Sequence, residues 1–274
     1  MLSARREEEK KKEESHEPKS RPWHGQILSR SARLKPMRTQ EWMIIGLGWL
    51  GQDLHDELKA SGLEVMGTHS TQCNLLRDEL PPRACDVLFL NTPPLVEIAP
   101  EMYALKVSKS TASRIIFISS TSVYGMGQGE VNEDSFPVPD SPGGKWLLSV
   151  ENELRKRIGS RLLVIRPGGL IGGQRHPVFH LQGRSGVSGG NERVNLIHRE
   201  DLIAIIRKTP SEVSVVNAIS PVHPLKSDYY IGWAQKLGLV PPTFKESVHS
   251  ARVIHSKVLA TFYSDWRCRE LDWI

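Results

Sequence analysis

The sequence is poor in cysteine and has no long hydrophobic run. It contains three cysteines, Cys73, Cys85 and Cys268, and this odd number without C-x-x-C spacing indicates neither a disulfide framework nor a zinc site. No apolar run approaches the roughly 18 residues expected of a membrane helix. The first 40 residues also lack the apolar core of a secretory signal. We therefore expect a reducing, cytoplasmic setting and no membrane partner.

Most of the chain also lacks an excess of either charge. The formal net charge is +5, and residues 1–40 account for all of it, with 11 Lys or Arg against 6 Glu. Residues 41–274 hold 25 basic and 25 acidic side chains. A nucleic-acid-binding domain needs a basic patch on its folded part. The charge balance indicates no such patch, so we expect a small-molecule substrate and no nucleic-acid partner.

Residues 1–40 combine many charges with few apolar side chains, a composition typical of disorder. We predict a disordered leader here and one folded unit over residues 41–274. The six Glu argue against an organelle transit peptide. Two interpretations stay open: a tail that binds an acidic partner, or an unstructured extension in which Met37 or Met43 is the true start.

The most informative stretch is 42–51, WMIIGLGWLG. Its apolar beginning predicts a buried strand. A G-x-G-x-x-G follows at once, and residues 52–59 then have a helical pattern, with Leu50, Leu54 and Leu58 on one face. A second apolar run at 63–67 completes a unit of strand, helix and strand. This context distinguishes a dinucleotide-binding turn from a glycine-rich turn without a ligand, which is the alternative interpretation.

Each glycine of this motif has a physical role in binding a dinucleotide. Gly46 permits the tight turn out of the strand, and Gly48 has no Cβ, so a pyrophosphate can approach the backbone. Gly51 lets the helix pack close to the strand. The helix N-terminus then presents unpaired N–H groups and a partial positive charge to the phosphates. The sequence therefore predicts a dinucleotide site.

Apolar runs and helical patterns alternate over the rest of the chain. This alternation predicts an α/β fold with a parallel, doubly wound sheet. The run at 114–119 is almost entirely apolar, which is typical of a central strand covered on both faces. The later predicted strands are 86–90, 114–119, 161–166, 194–198 and 213–218, and the later predicted helices are 95–110, 144–158, 199–208 and 224–238.

Four segments resemble, in the right order, the extended short-chain dehydrogenases/reductases, specifically the NAD-dependent epimerase/dehydratase family. GLGWLG (46–51) resembles the phosphate loop, and ISSTSVYG (118–125) resembles the strand end that carries a catalytic Ser or Thr. IRPGGLIGG (165–173) resembles the Arg-Pro turn, and VNLIHREDLIAII (194–206) resembles a later strand and helix. The resemblance covers about residues 42–273. It implies a Rossmann-type sheet with a small C-terminal substrate lobe, formed by segments at about 168–198 and 220–274.

The resemblance places Ser120 at the position of the hydroxyl that polarises the substrate in this family. A serine that only caps the strand end is the alternative. The family's Tyr-x-x-x-Lys pair is missing: aligning the helical Glu with Glu151 puts Gly143 at the Tyr position and Leu147 at the Lys position. Tyr124 is a candidate substitute, although its ring could equally pack in the loop.

The cofactor implied by the resemblance is a nicotinamide dinucleotide. An acidic residue about 20 positions after the first glycine would select NAD. Here the second strand is followed by Thr68, His69 and Ser70 without a carboxylate, which favours NADP, with NAD as the other choice. His69 as a solvated loop residue is equally open. The predicted cofactor-binding residues are Gly46, Gly48, Trp49, Leu50, Gly51, Thr68, His69, Ser70, Asn91, Thr92, Pro93, Ser119, Pro167 and Gly168.

His176 and His180 are spaced four residues apart, as some metal ligands are. Pro177 between them works against a helix, and no Glu or Cys lies at ligand spacing, so we expect no metal site. By resemblance, the expected function is redox or epimerase chemistry on a carbonyl or hydroxyl compound such as a sugar nucleotide. A dinucleotide-binding regulatory or scaffold protein without catalysis is the alternative. A homodimer is left open.

Overall fold

The computed structural model describes residues 39–247 and 252–272. The predicted leader, residues 1–40, lies outside the described residues except for its last two positions. In chain order the elements are β1 Glu41–Ile45, α1 Trp49–Ala60, β2 Glu64–Thr68, β3 Val87–Leu90, α2 Pro100–Ser108, β4 Arg114–Ile118, β5 Glu130–Val131, α3 Pro142–Ile158, β6 Leu162–Pro167, β7 Gly169–Ile171, α4 Val178–Leu181, β8 Val187–Ser188, β9 Leu196–His198, α5 Arg199–Lys208, β10 Val215–Ala218, α6 Lys226–Lys236, β11 Phe244–Lys245, β12 Val253–Ile254 and α7 Leu259–Phe262.

Six of the strands form one parallel sheet in the order β10-β6-β4-β3-β1-β2. The chain moves outward from β1 to β2, and then crosses back to build β3, β4, β6 and β10 on the other side. The direction of winding therefore reverses between β1 and β3. In open α/β sheets ligands bind in the crevice at such a reversal, outside the carboxyl ends of the strands.

Both faces of this sheet are buried, which explains why its strands are almost continuously apolar. Along β4, Ile115 and Phe117 pack with helices α2 and α3 in one hydrophobic cluster. The alternate residues Ile116 and Ile118 pack with helices α1 and α5 in a second cluster. The predicted parallel α/β fold is confirmed, including the helix of 199–208 at its predicted bounds.

A third hydrophobic cluster joins the two segments predicted to form the C-terminal lobe. Ile171, Val178 and Leu196 come from the first segment, and Tyr230 and Trp233 on α6 come from the second. The short pair β8–β11 links the two segments with backbone hydrogen bonds, and the pair β7–β9 lies within the first segment. Over the described residues, the helices are too short or too polar to cross a membrane.

Several boundaries differ from the sequence prediction. Helix α3 begins at Pro142 rather than 144, because Ser141 caps it by accepting from the Gly144 N–H and proline is tolerated at a first helical position. Helix α2 begins only at Pro100, because 95–99 form a turn. The segment 168–194, for which no strand or helix was predicted, contains β7, α4 and β8.

Candidate functional site

The glycine turn after β1 has the geometry that a dinucleotide-binding turn needs. Gly46 has a φ of +104°, and a Cβ there would lie 2.2 Å from the carbonyl oxygen of Asn91. A Cβ on Gly51 would lie 2.2 Å from the carbonyl oxygen of Gly46, so helix α1 packs directly against the turn. A Cβ on Gly48 would meet nothing within 4 Å. The turn therefore excludes side chains behind it and leaves open space in front of Gly48.

A cavity of 430 Å³ lies beside this turn, at the carboxyl ends of β1, β3, β4 and β6. It occupies the edge of the sheet where the winding reverses. Its lining residues are Trp49, Leu50, Asn91, Thr92, Pro93, Pro94, Ile118, Ser119, Ser120, Ser122, Ser141, Gly143, Gly144, Leu147, Pro167, Gly168, Leu170 and Arg175. This position is the one that binds ligands in open α/β sheets.

Most of the predicted site residues meet in this cavity. Its wall includes Trp49 and Leu50 of the turn, the strand-end groups of β3 and β4, and Pro167 and Gly168 after β6. The Asn91 side-chain amide donates to the carbonyl oxygen of Gly46 at 3.0 Å, which ties the end of β3 to the turn. Gly46, Gly48 and Gly51 shape the turn without lining the cavity.

The three predicted residues at the end of β2 lie outside this cavity. The carbonyl oxygen of Thr68 accepts from the N–H groups of Gly46 at 3.1 Å and Leu47 at 2.9 Å. Thr68 therefore supports the glycine turn from behind. His69 and Ser70 are exposed. This placement is compatible with His69 as a solvated loop residue and with His69 in contact with a bound nucleotide.

Ser120 lines the cavity at the start of the loop after β4. Its hydroxyl oxygen accepts from the Ser122 N–H at 3.1 Å and so caps a short 3-10 turn over Thr121–Val123. A hydroxyl oxygen has two lone pairs and one proton, so this contact leaves the proton available for a ligand. The capping interpretation is therefore compatible with the catalytic one.

The cavity also shows what the missing Tyr-x-x-x-Lys pair leaves behind. Gly143 and Leu147 both line it. They stand on the wall where the resemblance expects a phenol and an ammonium group, but neither can carry a proton. Lys145 is exposed on the same helix and lies outside the lining. The expected acid/base positions thus face the cavity without acid/base groups.

Tyr124 does not reach the cavity, contrary to its proposed role as a substitute. Its side chain is fully buried, and its hydroxyl accepts from Arg166 Nη1 at 2.7 Å. The same hydroxyl lies 2.9 Å from the Asn132 carbonyl oxygen and 3.2 Å from Asn217 Oδ1. Burial raises the pKa of this phenol, although the Arg166 guanidinium opposes the shift. Sequence reasoning selected Tyr124 by proximity to Ser120, but the strand end directs its ring into the core.

Arg166 is the centre of a buried polar network that supports the cavity wall. It donates to Glu151 through Nη2 at 2.5 Å and through Nε at 3.1 Å. The Ser119 hydroxyl donates to the same carboxylate at 2.5 Å. Glu151 is fully buried, so the ion pair joins α3, β6 and the end of β4 inside the protein. The network fixes Ser119, and with it the backbone that carries Ser120.

The charge in the cavity comes from a residue that the sequence prediction did not include. Arg175 is the sole charged side chain in the lining. Its guanidinium carbon lies 5.1 Å from the ring centre of Trp49. In the sequence, Arg175 is one arginine of a glycine-rich segment. The fold brings this segment next to the glycine turn, which the sequence alone does not show.

The two histidines weighed as metal ligands separate in the structure. His176 is buried and packs against Tyr229, Tyr230 and Trp233, whereas His180 is exposed. The His176 Nδ1 accepts from the Val178 N–H at 3.1 Å, so the proton is on Nε2, which contacts the Tyr229 hydroxyl at 2.9 Å. His176 is thus a hydrogen-bonded core residue of the C-terminal lobe.

His198, Asp201 and Cys268 form the described group whose atoms lie close enough to hold a metal ion. The Asp201 carboxylate already accepts from the Tyr263 hydroxyl at 2.7 Å and from the N–H groups of Arg267 and Cys268. His198 Nδ1 accepts from the Glu200 N–H. These contacts anchor the C-terminal segment to α5, which accounts for the cluster structurally.

His176 predicts an acid sensitivity of the fold. Burial lowers its pKa to about 4, from a usual 6.5. Between these values the unfolded chain binds more protons than the folded one, so stability falls as the pH drops below about 6.5. We expect this histidine to remove about 2 kcal/mol of unfolding free energy between pH 7.5 and pH 5.

Urea unfolding at the two pH values checks this prediction with His176→Gln. The variant is expected to be less stable at pH 7.5 and to lose less stability on acidification than the wild type. The exposed His180→Gln is the matched control and should keep the wild-type loss. An unchanged loss in His176→Gln would assign the acid sensitivity to other groups.

Comparison with known proteins gives a family but no activity. No model of a known protein family matches the chain. Protein YeeZ of Escherichia coli strain K12 is 34% identical over 243 residues, which cover 76% of this chain and 88% of YeeZ. The chain belongs to the YeeZ family. The same identity and coverage are found for protein YeeZ of Escherichia coli O157:H7.

Solved structures share the fold of this YeeZ-family chain at low sequence identity. UDP-glucuronic acid 4-epimerase from Bacillus cereus, in complex with NAD, has a TM-score of 0.68 at 19% identity, over 82% of this chain and 91% of that one. dTDP-4-dehydrorhamnose reductase from Yersinia enterocolitica has a TM-score of 0.64 at 20% identity, over 83% and 93%. A functionally unknown conserved protein from Silicibacter pomeroyi scores 0.65 at 19% identity, over 79% and 89%.

The predicted Rossmann-type fold is therefore confirmed, because solved structures share it. Structures of an epimerase and a reductase have the same parallel sheet and flanking helices. The YeeZ family assignment adds a group of related chains without adding an activity. The chemistry must be argued from the cavity.

Proposed function

We propose that this YeeZ-family chain binds a nicotinamide dinucleotide in the cavity beside the glycine turn and performs redox or epimerase chemistry there. The observation that carries the proposal is the open space in front of Gly48, next to a turn that admits no side chain behind Gly46 or Gly51. The uncapped N-terminus of α1, which has no acidic residue in its first turn, adds unpaired N–H donors for phosphate.

Residues from four strand ends would hold the dinucleotide. The backbone of Trp49 and Leu50 would bind the pyrophosphate, and Asn91, Thr92 and Pro93 line the cavity at the end of β3. Ser119, Pro167 and Gly168 also line it. The solved NAD complex with the same fold supports a nicotinamide dinucleotide as the cofactor class.

Within that class we propose NADP rather than NAD. The residues at the end of β2, Thr68, His69 and Ser70, include no carboxylate that would repel a 2′-phosphate. His69 and Ser70 are exposed, so their side chains are accessible to a nucleotide. NADP(H) and NAD(H) titrations of the same protein compare the two directly.

The chain's own contribution to chemistry would be small. A bound nicotinamide supplies or accepts hydride. Ser120, with its proton available, would donate to the oxygen of a carbonyl substrate, or accept from a hydroxyl one, and so orient the reacting carbon. Gly143 and Leu147 line the same cavity but supply no proton. Since general acid/base help is typically worth about 10²–10⁴-fold, we expect slow turnover on sugar nucleotides.

A dinucleotide-binding protein without catalysis is the second candidate. The observation that favours it is the replacement of both acid/base positions by Gly143 and Leu147, on a wall that otherwise faces the cavity. Under this candidate the cofactor would be bound and retained without being consumed.

We propose as well that residues 41–274 form the binding unit, in the cytoplasm, with the leader dispensable for it.

The Ser120→Ala variant tests the catalytic proposal. We expect at least about a tenfold lower turnover with NADPH and a carbonyl substrate, because Ser120 would act on the transition state. NADPH affinity should stay within about twofold of wild type. The turnover of wild type and variant is measured as steady-state oxidation of NADPH, followed at its nicotinamide absorbance, across a panel of nucleotide sugars and simple ketones.

Two further variants make this test specific. Ser120→Thr keeps the hydroxyl and should retain most of the activity, which would show that the loss in Ser120→Ala comes from the missing hydroxyl. Ser149→Ala removes an exposed hydroxyl on α3 and should change nothing. Wild-type binding of NADPH without turnover on any panel member would favour the non-catalytic candidate.

A further inference from the structure

We infer that Arg175, stacked on Trp49, is an anion clamp that binds a pyrophosphate against the glycine turn. The inference rests on the proposed function and deepens it, because it names the charged group of the ligand and the side chain that holds it. Arg175 comes from the hairpin after β7, whereas Trp49 begins α1. Their contact at 5.1 Å therefore bridges the C-terminal lobe and the phosphate turn.

The hairpin holds Arg175 in place through its backbone. The N–H of Gly172 donates to the Arg175 carbonyl oxygen at 3.0 Å, and the N–H of Arg175 donates to the Gly172 carbonyl oxygen at 3.0 Å. Gly172 and Gly173 have φ values of +140° and +53°, which favour glycine. The Arg175 side chain is exposed, but its backbone is fixed by this hydrogen-bonded two-residue turn beside the cavity.

A second arginine lies on the same indole. The guanidinium carbon of Arg199, at the start of α5, is 4.2 Å from the ring centre of Trp49. Its Nη2 pairs with Asp53 of α1 at 2.7 Å, but its Nε is buried without a hydrogen-bond partner. Arg199 therefore contacts the Trp49 ring, is paired with Asp53 and has one unsatisfied donor, its Nε.

The charges around Trp49 do not balance. Two guanidinium groups contact one ring, so they lie within about a Debye length of each other. Asp53 neutralises Arg199, whereas no described carboxylate or carbonyl oxygen engages the guanidinium of Arg175. The cluster therefore carries one net positive charge at the cavity, and this charge favours an anionic group in the ligand.

The chemistry of the surroundings selects pyrophosphate as that anion. Arg175 lines the cavity that the N-terminus of α1 opens into, and this helix has no acidic side chain in its first turn. A guanidinium presents a planar fork of donors that matches phosphate oxygens. One pyrophosphate could then contact the backbone N–H groups on one side and Arg175 on the other.

Two ligands carry this group, the dinucleotide and a nucleoside-diphosphate sugar. Calorimetric titrations of the full chain distinguish them: one with NADPH alone, and one with UDP-glucose in saturating NADPH. Arg175→Gln should weaken one of these affinities by about tenfold to 100-fold, as expected for a lost charge-assisted hydrogen bond. Arg175→Lys keeps the charge without the fork and should lie between that variant and wild type.

A matched control and a salt series complete the experiment. Arg184→Gln removes an exposed arginine of the same segment that does not line the cavity, and should leave both affinities unchanged. The affinity that Arg175→Gln weakens should also fall less steeply with added NaCl than in wild type. Unchanged affinities in Arg175→Gln, with ligand binding intact in wild type, would overturn the clamp alone. Absence of NADPH binding in wild type would overturn the proposed function as well.

Discussion

The Gly48→Val variant is expected to fold like the wild type and to lose its affinity for nicotinamide dinucleotides. Gly48 has φ −83° and ψ −165°, which any residue adopts, and a Cβ there meets nothing within 4 Å. The branched side chain would instead fill the space through which a pyrophosphate approaches the N-terminus of α1. Losing two charge-assisted hydrogen bonds in this way weakens binding by at least about 100-fold.

Fluorescence titration with NADPH and urea unfolding measure the two halves of this prediction. The unfolding free energy should stay within about 1 kcal/mol of wild type, the usual range for a changed N-cap residue. Gly46→Val is the contrasting variant. Its Cβ would lie 2.2 Å from the Asn91 carbonyl oxygen in a backbone with φ +104°, so it should lose stability. Wild-type affinity in a folded Gly48→Val protein would show that the dinucleotide does not use this turn.

Replacing Arg166 by Met should destabilise the fold more than any other single change considered. Glu151 would keep its charge in a fully buried position, with the Ser119 hydroxyl as the remaining donor of the present network. Removing one partner of a buried ion pair typically costs about 3–5 kcal/mol, because the other charge is left unpaired in the interior. Urea unfolding at pH 7.5 measures the loss.

The double variant Glu151→Met/Arg166→Met separates the unpaired charge from lost packing. Because apolar side chains can replace a buried pair at little cost, it should be more stable than Arg166→Met alone. Lys156→Met is the surface control: it removes the exposed pair with Glu153 and should change stability by about 1 kcal/mol or less. If Arg166→Met proved as stable as this control, the network could not be the support of the cavity wall.

The sequence was sufficient for the sheet because its signals are local. The apolar run of β4 and the glycine turn are each defined by a few consecutive residues. The interactions that form each of them are between residues close in sequence. The ends of helices were harder to predict where a capping side chain determines them. Ser141 and Pro142 begin α3, and this start becomes clear only when the Ser141 hydroxyl is seen accepting from Gly144.

The candidate site was predicted as well as its local parts allowed. The residues that end β3, β4 and β6 were expected in the cavity, and they line it. Tyr124 was misplaced because its partners, Arg166 and Asn217, are 42 and 93 residues away in sequence. Arg175 was missed for the same reason, since its partner Trp49 lies 126 residues earlier in the sequence. Such contacts exist only once the sheet has assembled.

A crystal structure of the wild-type protein with NADPH tests the central claim most directly. We expect the pyrophosphate in front of Gly48 and the nicotinamide C4 facing the space bounded by Ser120, Gly143 and Leu147. Ser120 Oγ should be the hydroxyl closest to C4, with no tyrosine or lysine side chain within hydrogen-bond reach of a substrate there. A dinucleotide bound outside this cavity, or a tyrosine hydroxyl at C4, would contradict it.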